Sequence, residues 1–205
     1  ISKGLVGSEM CIRDSNNAMV PGVCSSYHLH HVAGKVMALA EFMEYGEAYA
    51  KDIVSNARAF AGALAAEGFD VLAESRGYTA SHQVLTRHGE LDSGAGAKAA
   101  QRLEEAGIIT NMNMLPGDTK AMTPSGLRLG VQELTRVGFS NDDMEEVASF
   151  YARVLLHGED PAAVRADVHA LKQQRQTIRY CFNEDERSGY PCLLYTSPSP
   201  RDPWK

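Results

Sequence analysis

The sequence predicts an α+β fold in which a small sheet is covered by helices on one face and preceded by two long helices. Apolar residues first recur at helical spacing through the early chain, as Val32, Val36, Leu39 and Met43 and then Tyr49, Ile53, Phe60 and Leu64. After them, short apolar runs alternate with helical patterns in the order β, β, α, β, β, α, α. Leu127 and Leu129 then alternate around a single Arg128, as in a strand with one buried face.

Each element has its own local reason. The first helix is expected over residues 28–45, punctuated by Gly46, and the second over 47–67, stopped by Gly68. Strands are expected near residues 70–73 and 81–86. A helix over 93–106 ends at Gly107, with 108–110 as the next strand. The loop 115–125, with its Pro and Gly residues, leads into the strand that carries Arg128. Ser140, with Asp143 three residues on, opens a helix whose buried stripe is Met144, Val147, Tyr151 and Val154. Asp160-Pro161 opens the last helix, with Val164, Val168, Leu171 and Ile178 inward.

Composition narrows the function classes. The formal charge of the 205-residue chain is −6, without a block of like charges, so neither nucleic acid nor a membrane surface is an expected partner. No apolar run reaches transmembrane length. Of four cysteines only Cys24 and Cys181 lie in the central part of the chain, which implies no disulfide framework and fits a reducing cytoplasm. His28 and His31 would share a helix face, but no Cys or carboxylate nearby has zinc-site spacing, so no metal site is expected. His82, in an apolar strand context, reads as a hydrogen-bonded buried histidine.

The run Thr123-Pro-Ser-Gly-Leu-Arg-Leu-Gly-Val131 holds the most chemistry. A guanidinium fixed on a strand offers a rigid fork of donors suited to a bidentate carboxylate, and Gly126 and Gly130 leave room beside it. A structural ion pair is the competing reading of Arg128. Three further segments stand in order before it: Val20-Pro-Gly-Val-Cys-Ser-Ser-Tyr-His-Leu-His-His31, Gly77-Tyr-Thr-Ala-Ser-His-Gln-Val84 and Ile108-Ile-Thr-Asn-Met-Asn-Met-Leu-Pro116. Together the four resemble the C-terminal part of the serine (glycine) hydroxymethyltransferases, in their archaeal form, over residues 16–184.

That resemblance implies the small C-terminal domain of a fold-type I transferase dependent on pyridoxal 5'-phosphate. The reaction implied passes a one-carbon unit between serine and tetrahydrofolate or a related pterin. It gives Arg128 the amino-acid carboxylate and makes Asn113 a candidate pterin contact, a turn-capping asparagine before Pro116 being the alternative. Many members have a Gly-Gly pair that reaches the cofactor phosphate of the neighbouring subunit. Here Ser25 and Ser26 replace it, as phosphate donors at a helix start or as an N-cap pair. None of Lys35, Lys51, Lys98, Lys120 and Lys172 lies in the threonine-rich setting of the family's Schiff-base lysine. The expected partners are an amino acid, a pterin, an N-terminal large domain beyond this chain and a second subunit in a homodimer. Alone, the chain is expected to be inactive.

The ends read differently. One DNA sequence can encode residues 5–15 on one strand and residues 192–201 on the other, and it resembles sequencing-adapter DNA. Residues 1–15 are therefore expected to be non-native and 187–205 largely so. Residues 16–60 would be helices from the end of the cofactor-binding large domain, and 61–186 the small domain. Two other functions fit the pattern. One is a threonine aldolase or transaldolase relative, in which Arg128 would serve the carboxylate equally. The other is a non-catalytic α+β module binding a partner through its first two helices. The enzyme reading expects those helices to carry an orphaned apolar face of Val32, Val36, Tyr49 and Ile53.

Overall fold

A computed structural model describes residues 29–175 and 177–182. Cys24, Ser25, Ser26, His28 and both end segments lie outside the described residues. The elements are α1 (Leu29–Glu67), β1 (Asp70–Val71), a 3-10 turn (Glu74–Arg76), β2 (Gln83–Arg87), α2 (Ala95–Glu105), β3 (Asn111–Asn113), β4 (Gly126–Gly130), α3 (Gln132–Arg136), α4 (Asp143–Leu155) and α5 (Pro161–Gln174). Two units divide the chain, residues 1–43 and 44–205. In the first, the opening turns of α1 expose Leu29, Val32, Val36, Met37, Leu39, Phe42 and Met43.

The expected break at Gly46 does not occur, and one helix of 39 residues replaces two. A mid-helix glycine costs about 1 kcal/mol relative to alanine. The alanine-rich chain around it, free of proline, absorbs that cost. The stop at Gly68 is as expected, with its φ at +102° and the Phe69 amide returning to the Leu64 carbonyl.

Within the second unit the sheet is antiparallel throughout, in the order β1-β2-β4-β3. Its inner face presents Val71, Val84, Thr86, Leu127 and Leu129 to Phe60, Leu64, Leu103, Met144 and Tyr151 from the helices. The Phe60 and Tyr151 rings meet edge-on at 5.4 Å between centroids. Side chains of this size each gain about 1.5–3 kcal/mol from burial. Of the stripe expected on α4, Met144, Tyr151 and Val154 are buried and Val147 is half-buried, while Ala148, Phe150 and Ala152 are buried as well. On α5, Val164, Val168 and Leu171 are buried as expected. Ile178 lies beyond α5, which ends at Gln174.

Two strands moved from their expected places. β1 is only two residues long because Ala73 adopts φ +63° and turns the chain out of the sheet. The third strand is Asn111–Asn113 rather than 108–110. The reason lies in how α2 ends. Gly107, at φ +77°, bonds back to Glu104, and the Ile108 amide bonds back to Leu103. Pairing with β4 therefore starts only at Asn111, and Ile109 is left 88% exposed.

The orphaned apolar face is half right. Val32 and Val36 are exposed, whereas Ile53 packs on the core and the Tyr49 hydroxyl donates to the Gln132 carbonyl at 2.8 Å. Those two contacts are long-range, which is why the helical period could not show them.

Candidate functional site

The alternation along β4 buries Leu127 and Leu129 and turns Arg128 outward. The register sets Arg128 opposite Leu85 on one side and Asn111 on the other. Asn113 follows two residues along β3, so Arg128, Asn111 and Asn113 share the outer face. Arg87, on the same face, is paired with Asp70 at 3.2 Å. The Arg128 side chain makes no hydrogen bond or ion pair among the described residues.

The glycines beside it have a role other than the expected one. A Cβ on Gly126 would meet the Leu115 side chain at 2.4 Å, and one on Gly130 would meet the Gln132 carboxamide at 2.6 Å. The room they leave is filled by the chain's own side chains, which line the ground on either side of Arg128. Gly126 serves the inner layer as well, since its carbonyl lies 2.2 Å from where a Cβ on Gly96 of α2 would sit.

Asn113 is half-buried, and its amide group donates to the Met114 carbonyl, 2.6 Å away. Lys35, Lys51, Lys98, Lys120 and Lys172 are all exposed, on helix surfaces or in a loop. His82 is exposed, contrary to the burial expected of it, because β2 begins one residue later at Gln83. The histidine that is partly buried is His88. Its Nε2 lies 2.8 Å from the Thr86 hydroxyl and its ring meets Phe69 edge-on. Burial lowers the His88 imidazole to about 4, against an opposing pull from the Asp70 carboxylate. No group of three His, Cys, Asp or Glu side chains among the described residues is placed to hold a metal ion. No described helix is long and apolar enough to cross a membrane.

The sequence reading missed a pair of carboxylates behind the site. Asp118 Oδ2 accepts from the Leu115 amide at 2.8 Å, the Ser125 amide at 3.0 Å and the Ser125 hydroxyl at 2.8 Å. Asp118 Oδ1 accepts from the Asp92 amide at 2.7 Å. Asp92 in turn accepts from the Thr119 amide and hydroxyl and the Lys120 amide, at 2.7–2.8 Å. Desolvation pushes the Asp118 carboxyl up, but the bonds from the Leu115, Asp92 and Ser125 amides and the Ser125 hydroxyl together outweigh it and hold the group far below the usual carboxylate range. Asp next to Gly or Ser is a turn signal, which was available in the sequence. Reciprocal pairing across 26 positions was not.

Residues 4–151 match the family model described as serine hydroxymethyltransferase. The chain is 55% identical over 179 residues to the serine hydroxymethyltransferase of Thermococcus kodakarensis, covering 86% of this chain and 41% of that protein. It is 48% identical over 182 residues to that of Methanopyrus kandleri, covering 86% and 42% respectively. Among solved structures, the L-threonine transaldolase of Pseudomonas fluorescens in its internal aldimine state superposes with a TM-score of 0.69 at 30% identity, covering 86% of this chain and 40% of that one. The chain thus spans about two fifths of the length of these relatives. A match over most of the chain, with the α+β layering and the outward Arg128 strand, makes it a member of the serine hydroxymethyltransferase family.

Proposed function

We propose that this chain is the C-terminal part of a cytoplasmic, homodimeric serine hydroxymethyltransferase that interconverts serine and glycine with tetrahydrofolate or a related pterin. In this reading Arg128 grips the carboxylate of the amino acid through its planar fork of donors. Asn113, on the same face, is the candidate pterin contact. Ser25 and Ser26 are the candidate donors to the cofactor phosphate of the neighbouring subunit. Pyridoxal phosphate, when bound, supplies the electron sink of the reaction. Its anchoring lysine is assigned to a part of the enzyme outside this chain, which is therefore inactive alone.

The observation that supports this most directly is Arg128, whose guanidinium has no counter-charge among the described residues while Arg87 on the same face has one. The test is a full-length enzyme in which residues 29–182 replace the matching segment of the Thermococcus kodakarensis relative. Losing a charge-assisted bidentate contact costs about 1.5–3 kcal/mol. Arg128→Ala should therefore raise the KM for serine by roughly ten- to a hundredfold, and Arg128→Lys should recover only part of it. An unchanged KM in Arg128→Ala would remove the carboxylate role. The likeness to the transaldolase gives a second reading, separated by the co-substrate. Turnover of threonine with an aldehyde acceptor, and none of serine with a pterin, would favour it.

A further inference from the structure

We infer that Asp118 is a positioning residue for the outer face that carries Arg128 and Asn113, an inference that rests on the function proposed above. A single carboxylate oxygen, Oδ2, receives the amide of Leu115 and both the amide and the hydroxyl of Ser125. Leu115 stands two residues after Asn113, and Ser125 three residues before Arg128. One atom thus fastens the exit of β3 to the entry of β4 and closes the loop between them into a ring.

The second carboxylate oxygen extends the tie to the turn before α2, through the Asp92 amide. Asp92 then fixes Thr119 and Lys120 inside the same loop. The ring also seats the Leu115 side chain, 3% exposed, over Gly126, where a Cβ would stand 2.4 Å away. Leu115 is therefore the floor beside Arg128, and its own amide is held by Asp118.

A loop of this length without secondary structure has many conformations of similar free energy. Three charge-assisted bonds converging on one oxygen select one of them. The spacing between the Arg128 guanidinium and the Asn113 carboxamide is then set before any ligand arrives. Asp118 touches neither group and acts through the backbone on both sides of the loop.

The test uses the full-length chimera. Asp118→Ala is expected to raise the KM for serine and the KM for the pterin together, each about tenfold or more, because both residues lose their fixed spacing. Asp118→Asn keeps one acceptor oxygen and should recover part of both losses. Amide hydrogen exchange at Leu115 and Ser125 should quicken in Asp118→Ala while exchange in α4 stays as in the parent. In the Arg128→Ala background, Asp118→Ala should add nothing to the serine KM. A lower Tm with either KM unchanged, measured well below that Tm, overturns the inference, since a merely structural residue would behave so. If Asp118→Ala does not fold, Asp118→Asn and Ser125→Ala are read by the same two constants. Arg128→Ala without effect on serine defeats the proposed function. Arg128→Ala with its effect and Asp118→Ala without one defeats only this inference.

Discussion

Acidification should weaken the fold through His88 before it reaches the carboxylates. The imidazole is held neutral, its pKa lowered from 6.5 to about 4 chiefly by burial against Phe69, with Asp70 opposing. In the unfolded chain it takes up a proton near pH 6.5. Between the two values the unfolded state binds more protons, so stability rises with pH through that window. Read downward, stability is intact above about pH 6.5, is lost as pH falls, and levels off near pH 4. A pKa difference of about 2.5, at about 1.4 kcal/mol each, sets an upper limit of about 3.5 kcal/mol, and water at the exposed part of the ring reduces it to about 2–3 kcal/mol. The measurement is urea denaturation of the chain and of His88→Gln at intervals from about pH 7 to about pH 4.5. Glutamine keeps a partner for the Thr86 hydroxyl and cannot titrate. The stability gap between the two should narrow by that amount as pH falls. Parallel curves would show that the imidazole is not held neutral by burial, and the account of its pocket would fail.

Three further outcomes follow from the packing. Asn56, 4% exposed, donates to the Thr135 hydroxyl at 2.9 Å and the Phe139 carbonyl at 3.0 Å. Asn56→Ala leaves that carbonyl buried without its donor and should cost about 2–3 kcal/mol in chemical denaturation. Asp160 caps α5 by accepting from the Ala162 amide at 3.1 Å, so Asp160→Ala should cost about 1 kcal/mol and Asp160→Asn much less. Gly96→Ala would push a methyl group into the Gly126 carbonyl. A loss of about 1–3 kcal/mol is expected, with a lower Tm, and an unchanged Tm would show that α2 does not press on β4 there.

Much of the architecture was legible because it is local. Leu127 and Leu129 could only be buried together, so Arg128 had to face away from them, whatever the rest of the chain did. Gly68, Gly107 and the pair Asp160-Pro161 marked helix boundaries through backbone conformation alone. The family resemblance likewise rested on short ordered segments. The errors fell where one residue type admits two outcomes. Gly46 is compatible with a break or with a continuous helix, and neighbours three and four residues away decided for continuity. Ile108 and Ile109 look like a strand, yet the turn that ends α2 had already committed the Ile108 amide.

The sequence by itself determined the α+β class, the faces of the helices and the outward direction of Arg128, since these follow from periods of two and 3.6 residues along a single segment. Only the tertiary structure decided what surrounds that arginine. Leu115 fills the space over Gly126, and Asp118 joins Leu115, Ser125 and the Asp92 turn. These are contacts between segments, fixed by how the sheet closes and which backbone amides are left to satisfy, and no local period encodes them.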